Sequence, residues 1–252
     1  MITSSQEHRQ RLQDGAVYSG AWMMTSSADV ARLTSASGFD YVCIDLQHGL
    51  ARADAVAPLI DAVRSGGGAM AVVRVQANRF AEIGMVADAG ADAIIVPLVS
   101  SADEAREAVR AVRFPSQGGS RSWGPTDALI RGRAQDLEAL RPLLFVMIEN
   151  APGLEAAKQI AAVPGVDGIY IGPSDLAFGL GSAPGPEEQV TTDAIAAILT
   201  VAEAAGVIPA VHCQSGTEAR MRREQGFRFI TSTSDIGALR AGYAAELTAQ
   251  KA

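Results

Sequence analysis

The chain has 252 residues, of which 48% are hydrophobic, and its formal net charge at pH 7 is −7. This length suits one complete α/β barrel or two small domains. Its Lys and Arg residues are scattered rather than gathered into a stripe, which argues against a nucleic-acid partner. No run approaches the roughly 18 apolar residues that span a bilayer, and the polar opening segment lacks a signal peptide's apolar stretch. We therefore expect no membrane partner and a cytoplasmic location.

Eight short apolar runs alternate with helical patterns along the chain, which is typical of repeated βαβ units. The predicted strands are Val17–Trp22, Tyr41–Asp45, Ala69–Val75, Ala93–Val99, Leu143–Glu149, Gly168–Gly172, Val207–Cys213 and Phe227–Thr233. The predicted helices include Asp29–Ser37, Ala53–Arg64, Ala102–Arg113, Leu154–Ala162, Thr192–Ala205 and Thr217–Gln225. An extra helix, Gln6–Gln13, would cross the barrel floor, and a last helix would run from about Ile236 to Thr248. This order predicts a single (β/α)8 barrel, of the TIM-barrel class, over residues 1–252.

A loose internal repeat supports this division of the chain. Gly38, Gly90, Gly165 and Gly226 each stand between a predicted helix and the next predicted strand. Glycine suits the left-handed residue that ends a helix, so the repeat predicts four equivalent turns. The main structural alternative is a doubly wound open sheet, but no GxGxxG follows the first strand and no GxxxxGK[ST] occurs.

Two irregular stretches, Pro115–Arg133 and Ser174–Glu188, are predicted to be functional loops of the barrel. The two cysteines, Cys43 and Cys213, each lie in an apolar strand-like run. They predict buried small hydrophobic side chains rather than a disulfide or a zinc cluster.

Polar side chains interrupt the apolar runs where the predicted strands end. In a parallel barrel these ends converge on one mouth, where reactive groups are carried. The candidate residues are Trp22, Asp45, His48, Arg74, Glu149, Ser174, Asp175 and His212.

Two carboxylates among these candidates predict a site for a divalent cation. Glu149 closes the run LLFVMIE and Asp175 follows GIYIGPS, with no Lys beside either. Hard cations such as Mg²⁺ or Mn²⁺ need such oxygen ligands, with water and substrate oxygens in the remaining positions. The alternatives are a helix N-cap for Asp175 and an ion pair for Glu149.

His48 and Arg74 are candidates for acid–base work and for anion binding. His48 lies three residues after Asp45, which could orient its imidazole as a general base. Arg74 is the first charge after AMAVV and could grip a carboxylate or an enolate oxygen through its planar fork. The alternatives are a loop histidine bonded to the backbone, and a rim ion pair of Arg74 with Asp45 or Asp88. The only lysines, Lys158 and Lys251, do not end a strand, so no Schiff-base site is predicted.

With these residues in place, the sequence resembles the class II pyruvate aldolases of the HpcH/HpaI family, the hydroxyketoacid aldolases, such as 4-hydroxy-2-oxoheptanedioate aldolase. The resemblance is carried by DLQHG, VRV, DAGADAIIVPLVSSADEAREAVR, IE and GVDGIYIGPSDLA, and it runs from Trp22 to the last helix. It implies aldol cleavage of 4-hydroxy-2-oxoacids to pyruvate, or a related 2-oxoacid such as hydroxypyruvate, and an aldehyde.

The resemblance also implies roles for the candidate residues. Glu149 and Asp175 are implied to be the protein ligands of the metal ion, Mg²⁺ or Mn²⁺, with Co²⁺, Ni²⁺ or Zn²⁺ as further options. Arg74 is implied to contact the keto oxygen and stabilise the enolate. His48, oriented by Asp45 or Asp88, is implied to act through water on the aldol hydroxyl. The implied substrate-binding residues are Trp22, Gly172, Ser174, Asp175 and His212.

The resemblance further implies a homohexamer, a trimer of dimers, in which the last helix exchanges between neighbours. The chain departs from the family pattern at Gln47, where many members have Glu, and at Met147, where many have Gln. The loop PSQGGSRSWG, Pro115–Gly124, is also wider than usual. Two other functions stay open: a citrate-lyase-type lyase acting on an acyl-CoA, and a non-catalytic barrel that binds small acids or serves in an assembly.

Overall fold

A computed structural model describes residues 5–132, 134–183 and 188–251 of the chain. Eight parallel strands close into a barrel in sequence order, with the last strand paired to the first. The strands β1 to β8 are Tyr18–Met23, Tyr41–Asp45, Met70–Arg74, Ala93–Val96, Leu143–Ile148, Gly168–Ile171, Ile208–His212 and Phe229–Ser234. The predicted barrel is confirmed, and no predicted strand end differs from the observed end by more than three residues.

The helices lie outside the strands, and α1 precedes the first strand. Within the described residues the helices α1 to α12 are Ser5–Gln13, Ala28–Ala36, Val56–Gly67, Phe80–Asp88, Ala102–Val112, Thr126–Ile130, Ala151–Glu155, Ala157–Ala161, Pro173–Gly179, Gln189–Ala205, Gly216–Gln225 and Asp235–Lys251. The sequence did not predict α4 or α6, and it placed most of α9 in a predicted loop. It also predicted one helix over Leu154–Ala162, where α7 and α8 are separate.

The four glycines of the repeat have the predicted left-handed backbone. Gly38, Gly90, Gly165 and Gly226 have φ angles of 92°, 91°, 108° and 112°. A side chain is strained at such angles, so glycine ends the helix without cost at each turn. Of the two irregular stretches, the first contains a 3₁₀ turn, Pro115–Gln117, and α6, and the second contains most of α9. Arg133 and residues 184–187 of these stretches lie outside the described residues.

Alternation along each strand decides which side chains enter the barrel. In β2, Val42 and Ile44 join the cluster between strands and helices, whereas Tyr41 and Cys43 join the cluster inside the barrel. Since side chains alternate with a period of two, Asp45 at the strand end also faces inward. The same alternation in β3, β5 and β7 directs Arg74, Glu149 and His212 to the barrel axis. Cys213 packs on the opposite side from its neighbour, in the outer cluster.

The two ends of the chain contribute helices of different character. Helix α1 closes the floor: the Arg9 Nε lies 2.8 Å from Asp167 Oδ1, and the His8 Nδ1 lies 2.9 Å from the Tyr18 hydroxyl. Helix α12 begins at β8 and, after Asp235, every described side chain along it is exposed. Among the described residues, no helix has the length and apolar character needed to cross a membrane.

Candidate active site at the carboxyl ends of the strands

A cavity of about 350 Å³ opens at the carboxyl ends of the strands. This is the end of the barrel at which the strand-end rule predicted the site. Most of the candidate residues line this cavity: Trp22, His48, Arg74, Gly172, Ser174, Asp175 and His212.

Arg74 and Asp45 form a buried, two-pronged ion pair at the base of the cavity. The Arg74 Nε donates to Asp45 Oδ1 at 2.8 Å, and Nη2 donates to Asp45 Oδ2 at 2.6 Å. Burial opposes charge on both groups, but these contacts outweigh it, so the pKa of Asp45 is lowered and that of Arg74 is raised. The remaining nitrogen, Nη1, has Met147 Sδ at 4.0 Å as its contact, and sulfur is a weak acceptor. This nitrogen can therefore donate to a substrate oxygen.

Trp22 supports the pair from the first strand. Its indole Nε1 donates to Asp45 Oδ2 at 3.1 Å, and its ring centroid lies 4.9 Å from the Arg74 guanidinium carbon. The His212 ring meets the indole edge-on at 4.9 Å. Burial, and then the positive charge of Arg74, lower the pKa of His212 to about 4. His212 is therefore neutral at physiological pH and adds no second cation beside Arg74.

Glu149 is a buried carboxylate with one unpaired oxygen. Its Oε1 accepts the Leu98 N–H at 2.8 Å, whereas Oε2 has no hydrogen-bond partner among the described residues. Burial raises the pKa of Glu149 to about 7, although the Leu98 N–H and Arg74 favour the charged form. Leu98 reaches this position with a left-handed φ of 56°, a conformation that costs free energy in a non-glycine residue. An ion pair, the alternative reading of Glu149, is not found within the described ranges.

The first turn of α9 lies against the unpaired oxygen. A Cβ at Gly172 would come within 2.6 Å of Glu149 Oε2, so glycine lets the start of α9 lie against this carboxylate without displacing it. Gly172 is also the N-cap of α9, which places exposed Asp175 in the first helical turn rather than at the N-cap. The carboxylates of Glu149 and Asp175, the first with its unpaired buried oxygen, fit a hard divalent cation. Groups of three or more His, Cys, Asp or Glu suited to a metal are absent from the described residues, so substrate and water would complete the coordination.

The structure changes the interpretation of Asp45. Its side chain accepts from Arg74, Trp22 and the backbone N–H of Gln47 and His48, so its oxygens are occupied and do not orient the His48 imidazole. The His48 side chain is exposed on the cavity wall and makes no hydrogen bond within the described residues. The predicted Asp45–His48 dyad is thus replaced by an Asp45–Arg74 pair, because the guanidinium competes better for a buried carboxylate than a loop imidazole does.

Asp88 does not reach the cavity of its own chain. It ends α4, which runs from the mouth toward the floor, about 13 Å for nine residues. Its Oδ1 accepts from Arg121 Nε and Nη2 at 3.1 and 2.6 Å. The prediction that Asp88 orients His48 is therefore not met within the chain, because a helix C-terminus in this fold points away from the mouth.

Sequence reasoning missed another group of residues that line the cavity. Met24, Gln214, Ser234 and Ile236 lie there as well. Each follows or ends β1, β7 or β8, so the strand-end rule covers them too. These four side chains are uncharged, so nothing in the sequence distinguished them from other residues next to strands.

The closed parallel barrel, with an acid–guanidinium cavity at its carboxyl end, defines the chain as a (β/α)8-barrel enzyme. The family model described as HpcH/HpaI aldolase/citrate lyase matches residues 18–241, so the chain belongs to this family and is a carbon–carbon lyase. The hydroxypyruvate/pyruvate aldolase of Rhizorhabdus wittichii is 36% identical over 224 residues, which cover 87% of this chain and 88% of that protein. The 4-hydroxy-2-oxo-heptane-1,7-dioate aldolase of Shigella sonnei is 31% identical, with 95% of both chains covered.

A solved structure gives the same result for the fold. The HpcH/HpaI aldolase/citrate lyase family protein of Burkholderia cenocepacia superposes with a TM-score of 0.90 at 29% identity, over 99% of this chain and 100% of that chain. The family expected from the sequence motifs is thus confirmed.

Proposed function

We propose that the chain catalyses the reversible aldol cleavage of 4-hydroxy-2-oxoacids to an aldehyde and pyruvate, or a related 2-oxoacid such as hydroxypyruvate. The relatives named as pyruvate aldolases support this reaction class. The observation that carries the proposal is the unpaired Oε2 of buried Glu149, beside a guanidinium whose Nη1 is free for a substrate oxygen.

In the cleavage direction, a base removes the proton from the C4 hydroxyl, and the C3–C4 bond breaks as the aldehyde forms. The released electron pair passes through C3 and C2 to the keto oxygen, and protonation at C3 then gives pyruvate. His48, exposed on the cavity wall, is the proposed base and acts through water.

Arg74 is positioned for the charge that develops on the keto oxygen. Its Nε and Nη2 are fixed by Asp45, so Nη1 is held in place before substrate arrives. A donor oriented in advance in a buried site stabilises an oxyanion strongly. The N–H groups of Gly172, Ser174 and Asp175, at the start of α9, are the proposed contacts of the substrate carboxylate. Trp22, Ser174 and His212 are proposed to enclose the oxoacid.

Glu149 and Asp175 are the proposed protein ligands of a divalent cation, Mg²⁺ or Mn²⁺. When bound, the ion would polarise the oxoacid carbonyl and raise the acidity of the adjacent carbon. Its charge would also remove the cost of the buried, unpaired Glu149 oxygen.

The proposal is tested by a cleavage screen over 4-hydroxy-2-oxoacids with pyruvate release as the readout, on protein loaded with Mg²⁺ or Mn²⁺. We expect turnover that EDTA removes and either ion restores. Turnover that persists after metal removal would contradict the metal assignment, and the absence of pyruvate release from every 4-hydroxy-2-oxoacid would contradict the reaction.

The acyl-CoA alternative lacks a comparable observation in its favour. Arg74 is the one Lys or Arg among the described residues of the cavity lining, and Asp45 neutralises it. A coenzyme A phosphate group would need further positive charge.

We also propose a hexamer, a trimer of dimers, in which α12 packs on a neighbouring copy. Ile236, Leu239, Tyr243 and Leu247 recur with helical spacing along α12 and are exposed by 39%, 39%, 72% and 51%. An exposed apolar stripe of this kind favours burial against another surface.

A further inference from the structure

The cavity has two walls of different chemistry. One wall consists of Arg74 at the end of β3 and the turn from Gly172 to Asp175 after β6, with Glu149 buried behind Gly172. These residues are proposed to bind the oxoacid and the metal ion. On the other side, β7, β8 and β1 are neighbours in the closed barrel. This second wall, Gln214, Ser234, Ile236 and Met24, is lined by residues that the proposed mechanism does not use.

A buried carboxylate fixes the shape of the second wall. Asp235 is 5% exposed and accepts from the Met24 N–H, the Thr25 N–H and the Thr25 hydroxyl at 2.9, 3.0 and 2.6 Å. It also accepts from the Ile236 N–H at 2.8 Å. The loop after β1 and the start of α12 are therefore held together, and the wall is formed before any substrate binds.

The second wall is electrically neutral at its surface and negative behind it. None of its four residues is charged, and no Lys or Arg of the described chain lines this side of the cavity. Behind the wall, all four donors to the Asp235 carboxylate are neutral, so no cation among the described residues balances its charge. Glu218, which accepts the Gln214 N–H at 2.9 Å, is itself paired with Arg222 at 3.7 Å. A carboxylate on a substrate would therefore meet like charge and find no cation here.

Two polar groups of the wall are available to a ligand. The Ser234 hydroxyl accepts the Gly237 N–H at 3.1 Å, which leaves its own proton to donate. The Gln214 side-chain amide makes no hydrogen bond within the described residues, although its backbone is anchored. Met24 and Ile236 supply the apolar part of the surface.

We propose that this wall selects the aldehyde partner of the reaction, and that the partner is a short, uncharged aldehyde carrying hydroxyl groups. Gln214 and Ser234 bind its hydroxyls, Met24 and Ile236 contact its carbon chain, and an aldehyde ending in a carboxylate is disfavoured. The total cavity of about 350 Å³, near the lower end for ligand sites, must hold both substrates and so limits chain length. This inference rests on the proposed aldolase function.

The test compares acceptors in the addition direction, with pyruvate fixed and the full-length enzyme loaded with Mg²⁺ or Mn²⁺. The acceptors are glyceraldehyde, propanal, butanal and succinic semialdehyde, and kcat/KM is measured for each. We expect glyceraldehyde to exceed propanal, and succinic semialdehyde to fall below butanal by about tenfold or more because of the like charge.

Two variants separate specific recognition from the intrinsic reactivity of the aldehydes. Gln214→Leu and Ser234→Ala should each lower the glyceraldehyde-to-propanal ratio by about tenfold, the value of one neutral hydrogen bond. Gln214→Arg should raise kcat/KM for succinic semialdehyde by at least tenfold. The matched control is Gln10→Leu on α1, at the barrel floor, which should leave every ratio at the wild-type value.

The outcomes distinguish the inference from the proposed function. Metal-dependent deuterium exchange into the pyruvate methyl group reports the oxoacid half without any aldehyde, and its absence from the wild-type enzyme would overturn the proposed function itself. If exchange is present but succinic semialdehyde is the better acceptor, the assigned acceptor class is wrong. Ratios that do not change in both Gln214→Leu and Ser234→Ala would overturn the role of the wall.

Discussion

Replacing Arg74 with lysine tests whether the guanidinium fork has a function beyond its charge. Arg74 uses two nitrogens for Asp45 and offers Nη1 to the substrate. Lysine has one nitrogen on a flexible stem and cannot satisfy a buried carboxylate and a keto oxygen in the same fixed geometry. The variant keeps the charge but loses the oriented donor.

The expected loss follows from that missing donor. Removing one hydrogen bond to a developing oxyanion lowers kcat by about 10²–10³, equivalent to about 3–4 kcal/mol. We expect Arg74→Lys to lose this much in pyruvate release. Deuterium exchange at the pyruvate methyl group, followed by NMR, should fall by a similar factor, because both processes pass through the same enolate.

A matched control is available at the other end of the barrel. Arg9 forms a buried pair with Asp167 at 2.8 Å, so Arg9→Lys makes the same chemical change far from the cavity. It should lower the thermal unfolding midpoint and leave kcat unchanged. Near wild-type turnover of Arg74→Lys would show that Arg74 serves only as a structural ion pair with Asp45, and an equal loss in Arg9→Lys would show that the effect is one of stability.

Four further predictions concern the metal, the base, acid stability and assembly. Glu149→Gln should abolish retention of Mn²⁺ together with activity, and stoichiometric metal in the purified variant would refute its role as a ligand. His48→Ala should reduce aldol cleavage by roughly 100-fold or more while deuterium exchange into pyruvate partly survives; equal losses would show that His48 also acts in enolisation. Because the pKa of His212 is lowered to about 4, its contribution to folding is present above pH 6.5 and lost on acidification. Between pH 6.5 and 5.0 the wild type should lose about 2 kcal/mol of unfolding free energy relative to His212→Gln in urea titrations, and parallel curves would contradict this. Ending the chain before Ile236 should convert the native assembly to monomers or aggregates in light-scattering chromatography, and an unchanged particle mass would exclude α12 from the interface.

The barrel could be predicted from the sequence because each strand is a short apolar run with a recognisable end. Helix α4 was missed although its pattern is helical, and α9 begins with Pro173 directly after a strand, where a loop was expected. These helices are nine and seven residues long. Periodicity is weak over so few turns, and their positions are determined by packing on the sheet rather than by local pattern.

The sequence could predict which residues gather at the candidate site, but not which of them form ion pairs or hydrogen bonds with one another. Strand alternation predicts that Asp45, Arg74 and His212 face inward, since each ends its strand two residues after a residue that packs inside the barrel. Which carboxylate meets which cation depends on side-chain reach and on competition between partners. His48 is three residues from Asp45 in sequence, yet Arg74, on the neighbouring strand at the same level, occupies the carboxylate. Spacing along the sequence shows that His48 lies near Asp45, but it does not show that Arg74 pairs with Asp45.

Helix α1 leaves the ribosome well before two of its partners are synthesised. Arg9 binds Asp167, and the Leu12 carbonyl accepts from Arg228 at 2.7 Å. Strand β1 likewise waits for β8 to close the barrel. At roughly 5–20 residues per second of synthesis, the helix and the first strand remain without these partners for about 10–40 s. These contacts of α1 and β1 can therefore form only after most of the barrel strands have been synthesised.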